Sequence, residues 1–135
     1  MEHTPSTANY FYISDQKGYS EIPIRFIKSG KTTLKIDLNK VEFIVAQGNY
    51  SKIFFEDQKP VLLAVQLNKI KEHLLKGDFI RVHRSYIISV KKIDKIEDNI
   101  IYIKNHNFPI GKSFKQSFYN SIENLLIIGN GNYLE

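Results

Sequence analysis

The 135 residues contain no cysteine, which removes disulfides, thiolate zinc ligands and thiol nucleophiles, and is compatible with a reducing compartment. Catalytic and metal-binding spacings are missing too. His3, His73, His83 and His106 fall in no HExxH or similar pattern, and there is no Gly-x-Ser-x-Gly, Walker loop or Gly-x-Gly-x-x-Gly. The acid pairs Glu56-Asp57 and Glu97-Asp98 lie in expected hairpin turns, where solvated carboxylates are commonplace. Neither an enzyme nor a bound metal or cofactor is therefore expected. No apolar run approaches the roughly 18 residues that span a bilayer, and Met1 to Thr7 supply neither a basic cap nor an apolar signal core. A soluble, cytoplasmic protein is the expectation.

What remains is a chain the size of one domain, with enough apolar residues to bury a core. Its surplus charge is unevenly spread. Between Phe79 and Lys95 the cations Arg81, Arg84, Lys91, Lys92 and Lys95 meet one acid, Asp94, so +4 of the chain's net +5 falls on this segment. A densely negative partner follows, with the nucleic-acid backbone first among candidates. In the same segment Ile80, Val82, Tyr86, Ile88 and Val90 alternate with polar residues at the two-residue period of a half-buried strand. Ile87 departs from the pattern, and so does Arg84. A guanidinium on the core-facing phase is costly to bury, so the spacing predicts a turn or bulge near His83 to Tyr86 that swings Arg84 into solvent.

Taken in order, residues 1–21 read as an arm or linker, although Tyr10-Phe11-Tyr12-Ile13 would also suit an extra strand. A hairpin follows, from Ile22, Ile24 and Phe26 across Ser29-Gly30 to Leu34, Ile36 and Leu38, with Pro23 at a strand start or edge. Val41, Phe43 and Val45 make a third strand, broken by Gln47-Gly48-Asn49. Tyr50 to Phe55 and Val61 to Val65 make the next two. Leu67, Ile70 and Leu74 predict a helix over 67–76, capped at Gly77. After the basic segment, Ile93 to Ile96 and Ile100 to Ile103 flank Glu97-Asp98-Asn99. The chain turns again at Asn105-His106-Asn107 and gives a short strand over Phe108 to Gly111. Ser113 and Gln116 have the form of a capping box for a second helix with Phe114, Phe118, Ile122 and Leu125 buried. Residues 127–135 should fray. Many short strands and two brief helices mean a mostly-β fold.

The run Phe79-Ile80-Arg81-Val82-His83-Arg84-Ser85-Tyr86 and the residues to Ile96 resemble the signature of the LytTR family of bacterial DNA-binding domains. Val41 to Ile44 with Gly48-Asn49-Tyr50, the helical Leu67 to Leu75, and Pro109 to Phe114 agree with it in the right order, so the resemblance covers about residues 22–126. It implies an elongated assembly of small antiparallel sheets whose loops enter double-stranded DNA in transcription regulation. It also implies a place in two-component signalling as part of a response regulator. Two departures stand out: Val45 occupies a place the family usually gives to an acid, and residues 1–21 are too few for a receiver domain.

Donor chemistry and the resemblance together nominate residues. Arginine can bond guanine O6 and N7 side by side, so Arg84 is the first base-contact candidate, against the bland reading of an ion pair with Asp78. His83 is expected to bond backbone and shape the loop. Arg81 would lie along a phosphate or pair with an acid. The resemblance puts a base contact at or beside Ser51, with Tyr50 as the neighbouring choice, and another at Lys112, where a lysine lacks the arginine fork. Asn49, Lys52, Ser85, Ser113 and Lys115 would hold phosphates or shape loops, the last two beside the positive end of the second helix. The expected partners are promoter repeats bound by a homodimer, and a receiver domain or sensor kinase outside this chain. The alternative is a non-catalytic module for RNA or an acidic protein, with Tyr50 and Tyr86 stacking on bases.

Overall fold

Hairpins dominate the computed structural model, which describes residues 21–129. Tyr10 to Ile13 lie outside them. Ile24–Ser29 (β1) pairs antiparallel with Thr32–Asp37 (β2), and Gly30 takes the positive φ of 61° that the tight connection requires. Pro23 stands just before β1, where its carbonyl accepts the Leu38 N–H at 2.7 Å. Val41–Gln47 (β3) turns at Gly48, φ 64°, into Tyr50–Phe55 (β4), and Val61–Leu63 (β5) follows. The fifth strand stops two residues short of expectation. Phe79–His83 (β6) and Tyr86–Ser89 (β7) come from the basic segment, and the five strands pair in the order β5-β4-β3-β7-β6.

Both faces of this sheet are covered. One packs Ile44, Ile53, Leu63 and Ile87 against Ile27, Ile36 and Leu38 of the first hairpin and against Leu67 and Ile70. The other packs Phe43, Val82 and Ile88 against a three-stranded sheet and the second helix. Burial on two sides explains why Ile87 breaks the alternation: it is fully buried on the face opposite Ile88, as strands covered on both sides require.

The first helix is brief. Leu67–Ile70 (α1) tightens into a 3-10 turn over Lys71–His73, and Leu74 is already extended at φ −95°, ψ 160°. Gly77, φ 90°, therefore serves the turn into β6 rather than capping a helix over 67–76. In the three-stranded sheet, Lys95–Glu97 (β8), Ile100–Ile103 (β9) and His106–Pro109 (β10) pair in the order β10-β9-β8. Asp98 and Asn99, φ 53° and 61°, form the paired left-handed turn that suits such a hairpin. The next turn is at Lys104 and Asn105, earlier than expected, so His106 and Asn107 belong to β10. The Asp94 carboxylate fixes it by accepting the Lys104 N–H at 2.7 Å. The Lys104 ammonium reaches the buried Glu42 carboxylate at 2.6 Å, joining this sheet to the central one. That contact raises the Lys104 pKa.

Lys115–Ile122 (α2) buries Phe118 and Ile122 as its spacing demands. Leu125 does not follow them, because the core ends at Ile122. No capping box forms. The α-helix starts beyond Ser113, which sits in a 3-10 turn over Lys112–Phe114, and Phe114 occupies the cap.

Candidate nucleic-acid interface

Strand direction gathers three separated stretches at one end of the central sheet. β3 runs toward that end and β4 away, with Gly48–Asn49 between them; β6 runs toward it and β7 away, with Arg84–Ser85 between them. The two turns are tied side by side, since the Ala46 N–H donates to the Ser85 carbonyl at 2.8 Å. Gly111 brings in the third stretch. Its N–H donates to the Val82 carbonyl at 2.8 Å, and a side chain on it would come within 3.1 Å of the Phe114 ring and 3.4 Å of the His83 ring. A Cβ here would crowd the Phe114 ring, while the His83 turn lies at ordinary contact distance.

The Arg84 turn is held from both sides. The β6–β7 register slips between Arg81 and His83, as the off-phase arginine predicted. His83 Nδ1 accepts the Ser85 N–H at 3.1 Å, closing the turn from within. Arg81 closes it from without: its Nε donates to the His83 carbonyl at 3.0 Å and its Nη2 to the Arg84 carbonyl, with its guanidinium 5.9 Å from the Phe114 ring centre. Burial lowers the Arg81 pKa. No acid among the described residues pairs with this guanidinium, which holds the loop instead. Arg84 itself is exposed, and its side chain has no hydrogen bond or ion pair among the described residues. Asp78 is not its partner; that carboxylate lies at the other end of β6, 3.8 Å from the Lys91 ammonium.

The first loop is corrected at Ser51. This residue is fully buried, and its hydroxyl donates to the Val65 carbonyl at 2.7 Å, so it has no surface to offer a base. Tyr50, beside it, is half-buried, and Asn49 is exposed with its side chain 3.5 Å from that of Gln66. The Lys52 ammonium lies 5.4 Å from the Phe54 ring centre. On the third stretch Lys112 and Ser113 are exposed and Lys115 is half-buried. Replacing Ser51 by alanine should lower unfolding stability by about 1 kcal/mol, the usual net worth of a buried hydrogen bond. Any sequence preference in DNA binding should be unchanged, which chemical denaturation and competition binding would check together.

The charge map also differs from the linear one. The β6–β7 hairpin carries Lys91 and Lys92 to the opposite end of the sheet, where Lys92 pairs with Glu56 at 2.5 Å and Lys91 bonds Asn39 at 2.6 Å. Lys95 pairs with Glu97 at 3.2 Å on the smaller sheet. Only Arg81 and Arg84 of the basic segment reach the turn end, where Lys52, Lys112 and Lys115 join them from other parts of the chain. None of these five has an acidic partner among the described residues. Two features escaped sequence reasoning: the Arg81 clamp, and the contact of Gly111 with His83. Only the glycine before Lys112 hinted at the second.

The end of the central sheet thus gathers cations from three separated stretches of a mostly-β domain. Its fold matches that of a solved chain from Bacillus cereus described as the LytTr DNA-binding domain of a methyl-accepting/DNA response regulator. The TM-score is 0.64 at 21% identity, over 74% of this chain and 96% of that one. The family profile of the LytTr DNA-binding domain matches residues 31–123. The chain belongs to the LytTR family, a family of DNA-binding and not of catalytic domains. No curated protein matches it. No helix among the described residues is long and apolar enough to cross a membrane.

Proposed function

We propose that this domain binds double-stranded DNA sequence-specifically in bacterial transcription regulation, as the output part of a cytoplasmic response regulator. The observation that carries the reading is Arg84, an exposed arginine with no partner among the described residues, at the tip of a turn that Arg81 and His83 hold. A guanidinium so placed suits bidentate bonding to guanine in the major groove. Tyr50 and Lys112 are the further base contacts in this reading. Asn49, Lys52, Ser113 and Lys115 fix register on phosphates, while Arg81, His83 and Ser85 keep the turn in shape. Residues 22–126 form the binding domain. Two copies occupy promoter repeats, and the receiver domain or kinase that delivers the signal lies outside this chain.

Selection of duplexes from a random pool at physiological salt tests this directly. The expected result is a recurring half-site bound well above a scrambled control; specific binding commonly exceeds non-specific by about a thousandfold. A flat pool would sink the proposal and turn attention to RNA or an acidic protein. Lys115→Ala should weaken binding to the selected and scrambled duplexes alike. It should also flatten the logarithmic salt dependence by about one charge, since each neutralised phosphate contributes about 0.9 to that slope.

A further inference from the structure

Two apolar features lie away from the cation-bearing turns. Helix α2 begins near those turns and ends away from them. Past its last buried residue, Ile122, the chain exposes Leu125, Leu126, Ile127 and Ile128 in succession, at 67%, 52%, 96% and 87%. At Leu126 the backbone is extended, φ −81° and ψ 139°. A contiguous aliphatic stretch left in water marks a contact surface more often than an accident. The second feature is a groove of about 320 Å³ where β6 begins, at the end opposite its turn. Leu74, Leu75 and Phe79 line it below, and exposed Lys71, Glu72 and Lys76 stand at its rim. Lys71 and Lys76 have no acidic partner among the described residues, and Glu123, just before the aliphatic stretch, has no cationic one.

We infer that Leu125–Ile128 of one copy docks in this groove of a second copy, with Glu123 facing the rim lysines, so that two domains touch when they lie side by side on DNA. The size of the contact identifies the occupant. A stable interface engages about 20–30 residues on each side, whereas here four aliphatic residues meet a groove lined by seven. Such a contact cannot hold a dimer together in dilute solution. It becomes effective when one duplex holds two domains and raises their effective concentration to about millimolar. Its place opposite the turns leaves the proposed DNA-reading face open. The inference rests on the DNA reading above, yet the contact can be observed without DNA.

The test uses the whole chain and Ile127→Asp/Ile128→Asp, whose sites are too exposed to endanger folding. Amide resonances of residues 71–79 are followed by NMR from millimolar to micromolar protein. In the natural chain they should shift progressively on dilution, and in the double variant they should not move. On a duplex with two selected half-sites the natural chain should bind the second copy about 5- to 150-fold more tightly than the first, the usual range of coupling between sites. The variant should lose that factor while keeping its affinity for a single half-site. Resonances that ignore dilution, or dilution shifts and cooperativity that survive in the variant, would overturn the contact. So would a concentration-independent difference between the two proteins, which would put the aliphatic stretch in its own groove. Failure of the natural chain to bind even one half-site would sink the DNA reading alone, and the dilution series would still decide the contact.

Discussion

Phe118→Ala should destabilise the domain by about 3–5 kcal/mol, the cost of truncating a buried phenylalanine. The ring is completely buried on α2, in the core that joins that helix to Val82, Ile101 and Ile103, and it meets Tyr119 edge-on at 5.1 Å. Its neighbours are held by strand ladders on two sheets and cannot collapse into the space. Against a total stability of about 5–15 kcal/mol for a domain, the loss is severe. Urea unfolding would measure it, and a change under about 1 kcal/mol would mean that α2 is not integral to the fold. Any weakening of DNA binding in this variant should track the unfolded fraction.

Arg84→Ala makes the contrasting case. On a selected duplex it should lose about 1–3 kcal/mol, the discrimination carried by a bidentate arginine–guanine pair, which is roughly 5- to 150-fold in affinity. On scrambled DNA it should change little. Unfolding stability should stay unchanged, because the side chain has no partner among the described residues. Arg84→Lys separates charge from geometry: a lysine keeps the cation and its donors but loses the planar fork, so it should fall between arginine and alanine on the selected site. Equal losses on both duplexes would make Arg84 a phosphate contact. Lost stability would make it structural.

Much of this was legible because local chemistry and global fold agree. The β1–β2 and β3–β4 hairpins fall where glycine and alternation place them, and an arginine on the wrong phase announced the turn it occupies. The misreadings came from facts that only the third dimension supplies. Ser51 looked like a loop donor because it is polar and follows Gly48-Asn49, but the sheet is covered on both faces and a neighbouring carbonyl needed a partner. The charge cluster looked continuous because it is continuous in sequence. An antiparallel hairpin sends the residues of one segment to opposite ends, so Lys91 and Lys92 met acids while lysines from distant parts of the chain took their place. Gly77 lost its expected role when Leu74 became extended. The Arg81 clamp left no mark in any pattern, since a half-buried arginine bonding carbonyls reads like any other arginine on a strand.

The Arg81 and His83 bonds all end on backbone atoms of the turn, never on the side chain of Arg84. The shape of the turn is therefore indifferent to what residue 84 is. On the proposed DNA reading, such a domain could be re-addressed: exchanging the side chain at position 84 would alter the message while the lettering frame, held by Arg81 and His83, stays as it was.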